Sequence, residues 1–394
     1  MNPSLSALPP PRVRLHIIAP ALPPRMDGIG DYTACLAAEL KDSVDLKIWI
    51  RTGEVSATLP NVAVEEGFAF DDRSSVSRML DKIEAERPDW VLLQYNPFSY
   101  GRLGLNLHLP RAIARMKRRH PEIRFALMVH EPFVPLTSWK FGVMSVWQRW
   151  QLRSLGRSAD LIFFSIDSWV HRFQRWFPGK PVFHLPVGSN IPRVPITRAE
   201  ARARLGITEG TTVLGVFGTF GGTRLLEEIK AAVHSVAGTG RDCMLVYIGP
   251  HGKLVREAIG DLPALTEGPL PADEVSRRLA AVDIFLSPFI DGVSTRRGSM
   301  MAALQHGLAV VGTRGPLTDR ILQQQDQHAM LLAGVGDAEG FAEYASELQR
   351  DVELRECLGT RAHKLYEAEF SWKKVVARLL QGLAVPNPDS GAKR

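Results

Sequence analysis

The chain has 394 residues, 45% of them hydrophobic and 23% charged, with a formal net charge of +6. That length exceeds one ordinary core and predicts two domains in a globular, soluble protein. No apolar run reaches the roughly eighteen residues of a membrane span, the N-terminus is too polar and proline-rich for a signal peptide, and three scattered cysteines (Cys35, Cys243, Cys357) argue against a disulfide frame or metal site and fit a reducing cytoplasm.

The charge is uneven. Residues 1–195 hold 25 Lys and Arg against 18 Asp and Glu, whereas the remainder is nearly neutral, and residues 102–157 hold 11 basic against 2 acidic. Such asymmetry points to an anionic partner for the N-terminal half (membrane surface, lipid phosphate or nucleic acid), set against a merely solvated basic face.

In chain order, residues 1–12 read as a loose tail and 13–19 as a first buried strand. The loop that follows carries Gly28 and Gly30, which let a ligand approach the backbone, and Asp31, placed to cap a helix over 32–40. The third glycine of the dinucleotide fingerprint is missing, so the loop alone is a weak signal or a tight turn only. Strands at 44–51 and near 62, then a helix over 74–86, continue the pattern. A buried strand at 90–94 ends in Tyr95 and Asn96, and one at 125–129 ends in His130 and Glu131, the strand ends where α/β sheets bind ligands. Between them a helix over 109–119 is strongly basic. Residues 137–155 form a helix with Trp139, Val143, Val146, Trp147 and Trp150 at helical spacing; core packing ranks first for that stripe, a bilayer surface second. Strands at 160–165 and 182–186 and a linker at 188–195 close the first half.

The second half opens with a polar helix over 198–205 and a strand at 212–217. A loop of glycines follows, with Thr219 and Arg224, then a helix over 225–236 and a strand at 244–248. The most informative stretch is 284–313. Here an apolar run too short for a helix ends at Pro288, and Asp291, Gly292, Val293, Ser294 and the Arg296-Arg297 pair form a loop. Gly298-Ser299 begin a helix that stops at Gly307, where a positive φ belongs, and a second buried strand follows at once. Strand, loop, helix and strand with short joints make half of a doubly wound sheet. Its strand ends offer a carboxylate for hydroxyls, with amides and guanidinium groups for phosphate. That is equipment for a phosphorylated sugar.

This stretch resembles the donor-site signature of the GT-B glycosyltransferases of the large retaining family four, in which two Glu eight positions apart precede an alanine-rich helix. Here Asp291 stands at the first acidic position and Ser299 at the second, so the signature is altered at both carboxylates. The resemblance spans roughly residues 13 to 383. It implies an α/β GT-B fold, two Rossmann-like doubly wound domains facing each other across a cleft. The N-terminal acceptor-side domain would cover 13–192, the nucleotide-sugar domain 193–370, a crossover helix 371–384 and a tail 385–394. It implies sugar transfer, with retention, from a nucleotide diphosphate donor such as a UDP- or GDP-sugar to a glycan or lipid-linked acceptor. The setting would be polysaccharide or glycolipid assembly in the cytoplasm, at the inner membrane face where the basic region meets anionic lipid; no nucleic acid is implied.

The resemblance also assigns roles. Asp291 and His130 would be catalytic. Gly28, Gly30, Thr219, Arg224, Gly292, Val293, Ser294, Arg297 and Ser299 would hold the donor and its phosphates, with Gly268 and Leu270 framing the base. Asp31, Tyr95, Asn96 and Glu131 would line the acceptor side. Thr219 stands where the family has Arg, and Arg297 is placed to supply the missing charge. No two aspartates stand two apart, so no metal or other cofactor is expected, and helix N-termini with arginines would neutralise the leaving diphosphate. An epimerase-like or phosphorylase-like enzyme is the runner-up within the fold. A non-catalytic nucleotide-sugar-binding or scaffold protein is the runner-up outside it, suggested by Thr219 and Ser299.

Overall fold

The computed structural model describes residues 12–54, 59–136 and 138–384. The tails expected at 1–12 (residue 12 apart) and 385–394, and residue 137 at the expected start of the tryptophan-bearing helix, lie outside the described residues. The chain divides into two compact units. One takes the residues up to Phe164, Phe173–Phe183 and the chain from Leu379; the other takes Ser165–Arg172 and His184–Arg378. The last helix, Trp372–Leu383, is therefore shared between them.

The first unit is built on a seven-stranded sheet. Its strands are β1 (Arg14–Ile18), β2 (Asp45–Arg51), β3 (Ala63–Phe68), β4 (Trp90–Tyr95), β5 (Arg124–Val129), β6 (Leu161–Phe164) and β7 (Val182–His184), in the order β3-β2-β1-β4-β5-β6-β7. The central strands β4 and β6 are buried at every residue, because helices cover both faces of a parallel sheet and leave no side for water. At the edge, β3 carries Glu65 and Glu66, which reach solvent.

The second unit repeats the plan with six strands: β8 (Thr212–Phe217), β9 (Cys243–Ile248), β10 (Ala264–Glu267), β11 (Ile284–Ser287), β12 (Ala309–Arg314) and β13 (Leu331–Gly334), ordered β10-β9-β8-β11-β12-β13. Leu214, Leu245, Ile284, Leu286 and Val311 from four adjacent strands meet Ile229, Val233 and Phe341 from helices in one core. In both sheets the strand order reverses beside the first strand, between β1 and β4 and between β8 and β11. Those reversals open crevices at the strand carboxyl ends. Gly307 takes φ +71° after helix Gly298–Gln305, as the sequence predicts.

Two expectations are corrected here. The first helix begins at Gly28, not 32, and its cap is Asp27 rather than Asp31. The Asp27 carboxylate accepts from the Ile29 and Gly30 amides at 3.0 and 2.7 Å, leaving Asp31 inside the first turn. Gly30 is required there because a side chain would meet the Ala21 carbonyl at 2.8 Å. The second correction concerns helix Trp139–Ser158, whose tryptophan stripe faces outward. Trp139 is 77% exposed and Val146 69%, while Ser145, Gln148 and Gln151 are buried. Helical spacing identified the stripe but not the side of the helix that packs.

Replacing Asp27 by Ala is expected to cost about 1 kcal/mol of stability, and Asp31→Ala clearly less. Urea unfolding of both variants checks this; equal losses would return the cap to Asp31.

Candidate functional site

In the second unit the carboxyl ends of β8 and β11 are tied across the strand reversal. Leu225 donates its amide to the Pro288 carbonyl (3.1 Å) and Ile290 to the Thr223 carbonyl (2.8 Å). This pins Arg224, only 7% exposed, beside Gly218. One terminal nitrogen, Nη2, donates to the Phe217 carbonyl at 2.7 Å. Its Nε and Nη1 are buried with no hydrogen-bond partner. Burial first, then the nearby Arg297 charge, lowers its pKa to about 9. It remains a cation at neutral pH, and a buried donor left unmade costs free energy that an anion would recover. The guanidinium groups of Arg224 and Arg297 both lie against the Phe289 ring, 4.6 and 4.1 Å from its centroid.

Asp291 stands at the centre of this cluster. Its carboxylate receives Nη2 of Arg297 at 2.7 Å and Nη2 of Arg296 at 2.5 Å. One negative charge thus faces two positive ones, with the buried Arg224 cation near Arg297. Sequence reasoning placed Asp291 and the Arg296-Arg297 pair in separate roles and missed their mutual clamp; an acidic residue five and six positions before two arginines in a tight loop was the available signal.

The loop differs from expectation in its amides. The sequence suggests that the amides of Gly292 and Val293 face a sugar, but they donate inside the protein, to the carbonyls of Phe289 (3.0 Å) and Thr313 (2.8 Å). Gly292 has φ +84°, and a side chain there would collide with Thr318 and the Gly315 backbone. Its glycine therefore serves the turn and the neighbouring loop. Ser294 is fully buried with its Oγ unpartnered. The amides of Gly298 and Ser299 open helix Gly298–Gln305 and have no intrahelical acceptor. Ser299 is half-buried and lies beside Gly218.

What holds the loop was not foreseen. Asp319, completely buried, accepts the amides of Thr295 (2.6 Å) and Asp167 (2.7 Å). Thr295 donates its hydroxyl to the Ser165 carbonyl at 2.7 Å and lies 2.8 Å from Nε2 of His184. Burial raises the Asp319 carboxyl to about 7 despite those donors. Thr219 is exposed in the loop after β8, and Gly268 and half-buried Leu270 follow β10. The Glu267 carboxylate beside them is held by both Nε and Nη2 of Arg278, at 2.7 and 3.0 Å.

In the first unit the strand ends gather a second set. His130 is 8% exposed, with Nε2 2.7 Å from Oε1 of Gln94 and its ring 4.8 Å from that of Tyr32, edge to face. Burial lowers its pKa to about 3, so it is neutral at physiological pH. Its amide donates to the Tyr95 carbonyl at 2.9 Å. Tyr95 is buried, and Asn96 caps a short turn by accepting from the Phe98 amide at 2.9 Å. Glu131 and Asp31 are half-buried, and Gly28 is exposed at the helix start. The structure brings Tyr95 and His130 together directly.

The His130 shift sets an acid limit on folding. The folded value lies below the unfolded one near 6.5, so the stability it contributes is present above pH 6.5 and is lost as pH falls toward 3. His130→Gln is expected to flatten the loss of thermal stability between about pH 7 and pH 5; a slope identical to that of the unmodified chain would contradict the burial account.

No family model matches the chain. It is 25% identical over 250 residues to a GDP-mannose-dependent monoacylated alpha-(1-6)-phosphatidylinositol monomannoside mannosyltransferase of Corynebacterium glutamicum, covering 59% of this chain and 64% of that protein. It is 28% identical over 283 residues to sulfoquinovosyl transferase SQD2 of Arabidopsis thaliana, covering 68% of this chain and 52% of that one. The matches thus span between half and two thirds of these relatives. Among solved structures, Anabaena HepE in complex with UDP and glucose superposes with a TM-score of 0.69 at 12% identity, over 95% of this chain and all of the other. Sucrose-phosphate synthase from Thermosynechococcus elongatus gives 0.69 at 15%, over 94% and 98%. WaaG, a glycosyltransferase involved in lipopolysaccharide biosynthesis, gives 0.67 at 13%, over 94% and 100%. The fold is that of the GT-B glycosyltransferases, two Rossmann-like α/β domains, and the homologues are named glycosyltransferases.

Proposed function

We propose, from that fold and those homologues, that the chain is a glycosyltransferase. It moves a sugar from a nucleotide diphosphate donor to a glycan or lipid-linked acceptor, with retention at the anomeric carbon. The observation that carries the proposal is Arg224, a buried guanidinium with Nε and Nη1 unpartnered beside the first turn of helix Gly298–Gln305. A diphosphate there would receive charge-assisted hydrogen bonds from Arg224 and the amides of Gly298 and Ser299. These donors stabilise the charge that grows on the leaving diphosphate, the role a metal takes in other transferases. The donor nucleotide is UDP or GDP; UDP is bound in the HepE structure and GDP-mannose serves the bacterial relative by its name.

Asp291 supports the reaction in two ways. It holds Arg296 and Arg297 in place, and its oxygens accept from donor sugar hydroxyls once an arginine turns to phosphate. The carboxylate then stabilises positive charge at the reacting carbon. His130, neutral and held by Gln94, is suited to a hydrogen bond rather than to proton delivery from an imidazolium. No helix among the described residues is long and apolar enough to cross a membrane. A cytoplasmic enzyme meeting its acceptor at the inner membrane face fits this reading.

The double clamp on Asp291 also favours a second reading, a nucleotide-sugar-binding protein without turnover, because a neutralised carboxylate is a weaker catalyst. Turnover of donor separates the two.

Calorimetry with UDP and GDP is expected to show binding that survives a chelator of divalent cations. Arg224→Met should weaken it about tenfold or more, the value of a hydrogen bond to a charged group. Binding abolished by the chelator would refute the metal-free account.

Asp291→Asn keeps the shape and frees two cations, so kcat should fall strongly while donor affinity holds or rises. Ser299→Ala should mainly raise the donor KM. Wild-type turnover in Asp291→Asn, with activity abolished in Ser299→Ala, would reverse these roles.

A further inference from the structure

The second unit carries another basic site, at the opposite end of its sheet from Arg224. A cavity of about 660 Å³ lies at the amino ends of β8 and β11, lined there by Thr211, Thr212 and Asp283. β8 has six residues, so the cavity is roughly 16 Å from the crevice at that strand's carboxyl end. None of Asp291, Arg296, Arg297 and Arg224 lines it.

Four arginines from three elements meet at this cavity. Arg198 and Arg202 come from helix Arg198–Arg204, Arg241 from the loop before β9, and Arg355 from helix Val352–Leu365. One carboxylate anchors the first two: Asp283, 5% exposed, pairs with Arg198 and Arg202 and accepts the Val213 amide at 2.7 Å. Arg202 also donates Nε to the Ala281 carbonyl at 3.2 Å. The other two rest on backbone. Arg241 donates Nη1 to the Gln349 carbonyl at 3.1 Å, and Arg355 donates Nη1 to the Leu348 carbonyl at 2.7 Å. Among the described residues neither forms an ion pair, so each keeps donors for a ligand.

The charges do not balance. Against four arginines the lining has two acids, Asp283 and Glu209, a surplus of two positive charges. Burial first, then the charges of Arg202 and Arg355, lower the Arg198 pKa to about 10. Burial and then Arg355 lower that of Arg202. Both stay cations at neutral pH, so the repulsion persists until an anion relieves it. Gln349, 1% exposed, lines the same cavity. Its Oε1 accepts the Thr239 hydroxyl at 2.8 Å, while its Nε2 is buried with no hydrogen-bond partner. A buried donor left unmade costs free energy that an acceptor in the cavity recovers.

A surplus of two matches a dianion, and guanidinium forks match phosphate oxygens in pairs. The volume falls among small-molecule sites, roughly 300–1,000 Å³, and holds more than a bare phosphate. Ala199, Ala203, Ile207 and Val352 give the rest of the wall carbon rather than charge.

We propose that this cavity binds a small phosphate monoester, its phosphate taken by Arg241 and Arg355 beside the Asp283-anchored pair and its organic body set against the apolar wall. The inference does not rest on the transferase reading.

Calorimetry of the full chain with phenyl phosphate tests it, with inorganic phosphate and phenol as the two halves of the probe. Phenyl phosphate is expected to bind more tightly than inorganic phosphate, phenol not at all, and the affinity to weaken as salt rises. Arg224→Met serves as a second background, because it removes phosphate taken at the other end of the sheet; binding should persist in it. In both backgrounds Arg355→Met should lower the affinity about tenfold, as expected for a charge-assisted hydrogen bond. Arg241→Gln should lower it about threefold, less because solvent screens an exposed charge. Arg241 is exposed, so its variant should keep the wild-type melting temperature and stands in if Arg355→Met fails to fold. No binding at millimolar phenyl phosphate, or binding that both substitutions leave intact, overturns the proposal. So does binding that vanishes with Arg224→Met alone. UDP and GDP titrated into the same variants report separately on the transferase reading.

Discussion

Charge balance around Asp291 is the constraint on which the rest of the second unit's site depends. One carboxylate holds Arg296 and Arg297, and the Arg224 guanidinium nearby lies against the Phe289 ring and donates to the Phe217 carbonyl. Removing a cation from water is costly, and two of its nitrogens have no partner to offset the loss. Such an arrangement is stable enough to fold and becomes more stable with an anion in place. The positive surplus is shared among residues that the backbone cannot easily move apart, since strand-like bonds cross between 223–225 and 288–290.

The supporting structure answers a second requirement, that a loop between a strand and a helix hold its shape while empty. Asp319 does this from beneath by accepting two amides, and Thr295 does it from within by bonding Ser165 and facing His184. Glycines at 292 and 315 let the 291–292 and 315–318 backbones come together where a side chain would collide. With the loop's own amides at 292 and 293 committed to that framework, the donors left for a ligand are guanidinium groups and a helix N-terminus. The site is better suited to phosphate than to an uncharged sugar, and under the proposed function recognition of the sugar would fall to Asp291 and its partners.

Much of this was legible in the sequence, because buried parallel strands read as short apolar runs and glycines mark their joints. The strand–loop–helix–strand unit over 284–313, the positive φ at Gly307 and the two-sheet plan all follow from that pattern. What escaped was pairing across distance in the chain. Sequence alone places the cap at Asp31, and only the fold shows that the Asp27 carboxylate is the one that meets the free amides. The tryptophan stripe over 139–150 has the period of a core face, but periodicity does not say which side is covered. Here the covered side carries Leu152 and Leu155 together with Gln148 and Gln151, whose side chains bond to the 103–106 backbone. Asp319 sits far from the loop it supports, and no local spacing signals that role.

The central claim is that a nucleoside diphosphate is held by Arg224 and the first turn of helix Gly298–Gln305 without a metal ion. A crystal structure of the chain grown with UDP or GDP and a divalent cation tests it most directly. The account predicts diphosphate oxygens within hydrogen-bond reach of Nη1 of Arg224 and of the amides of Gly298 and Ser299, with no cation between them. A diphosphate bound elsewhere, or bridged to the protein through a metal ion, would contradict it.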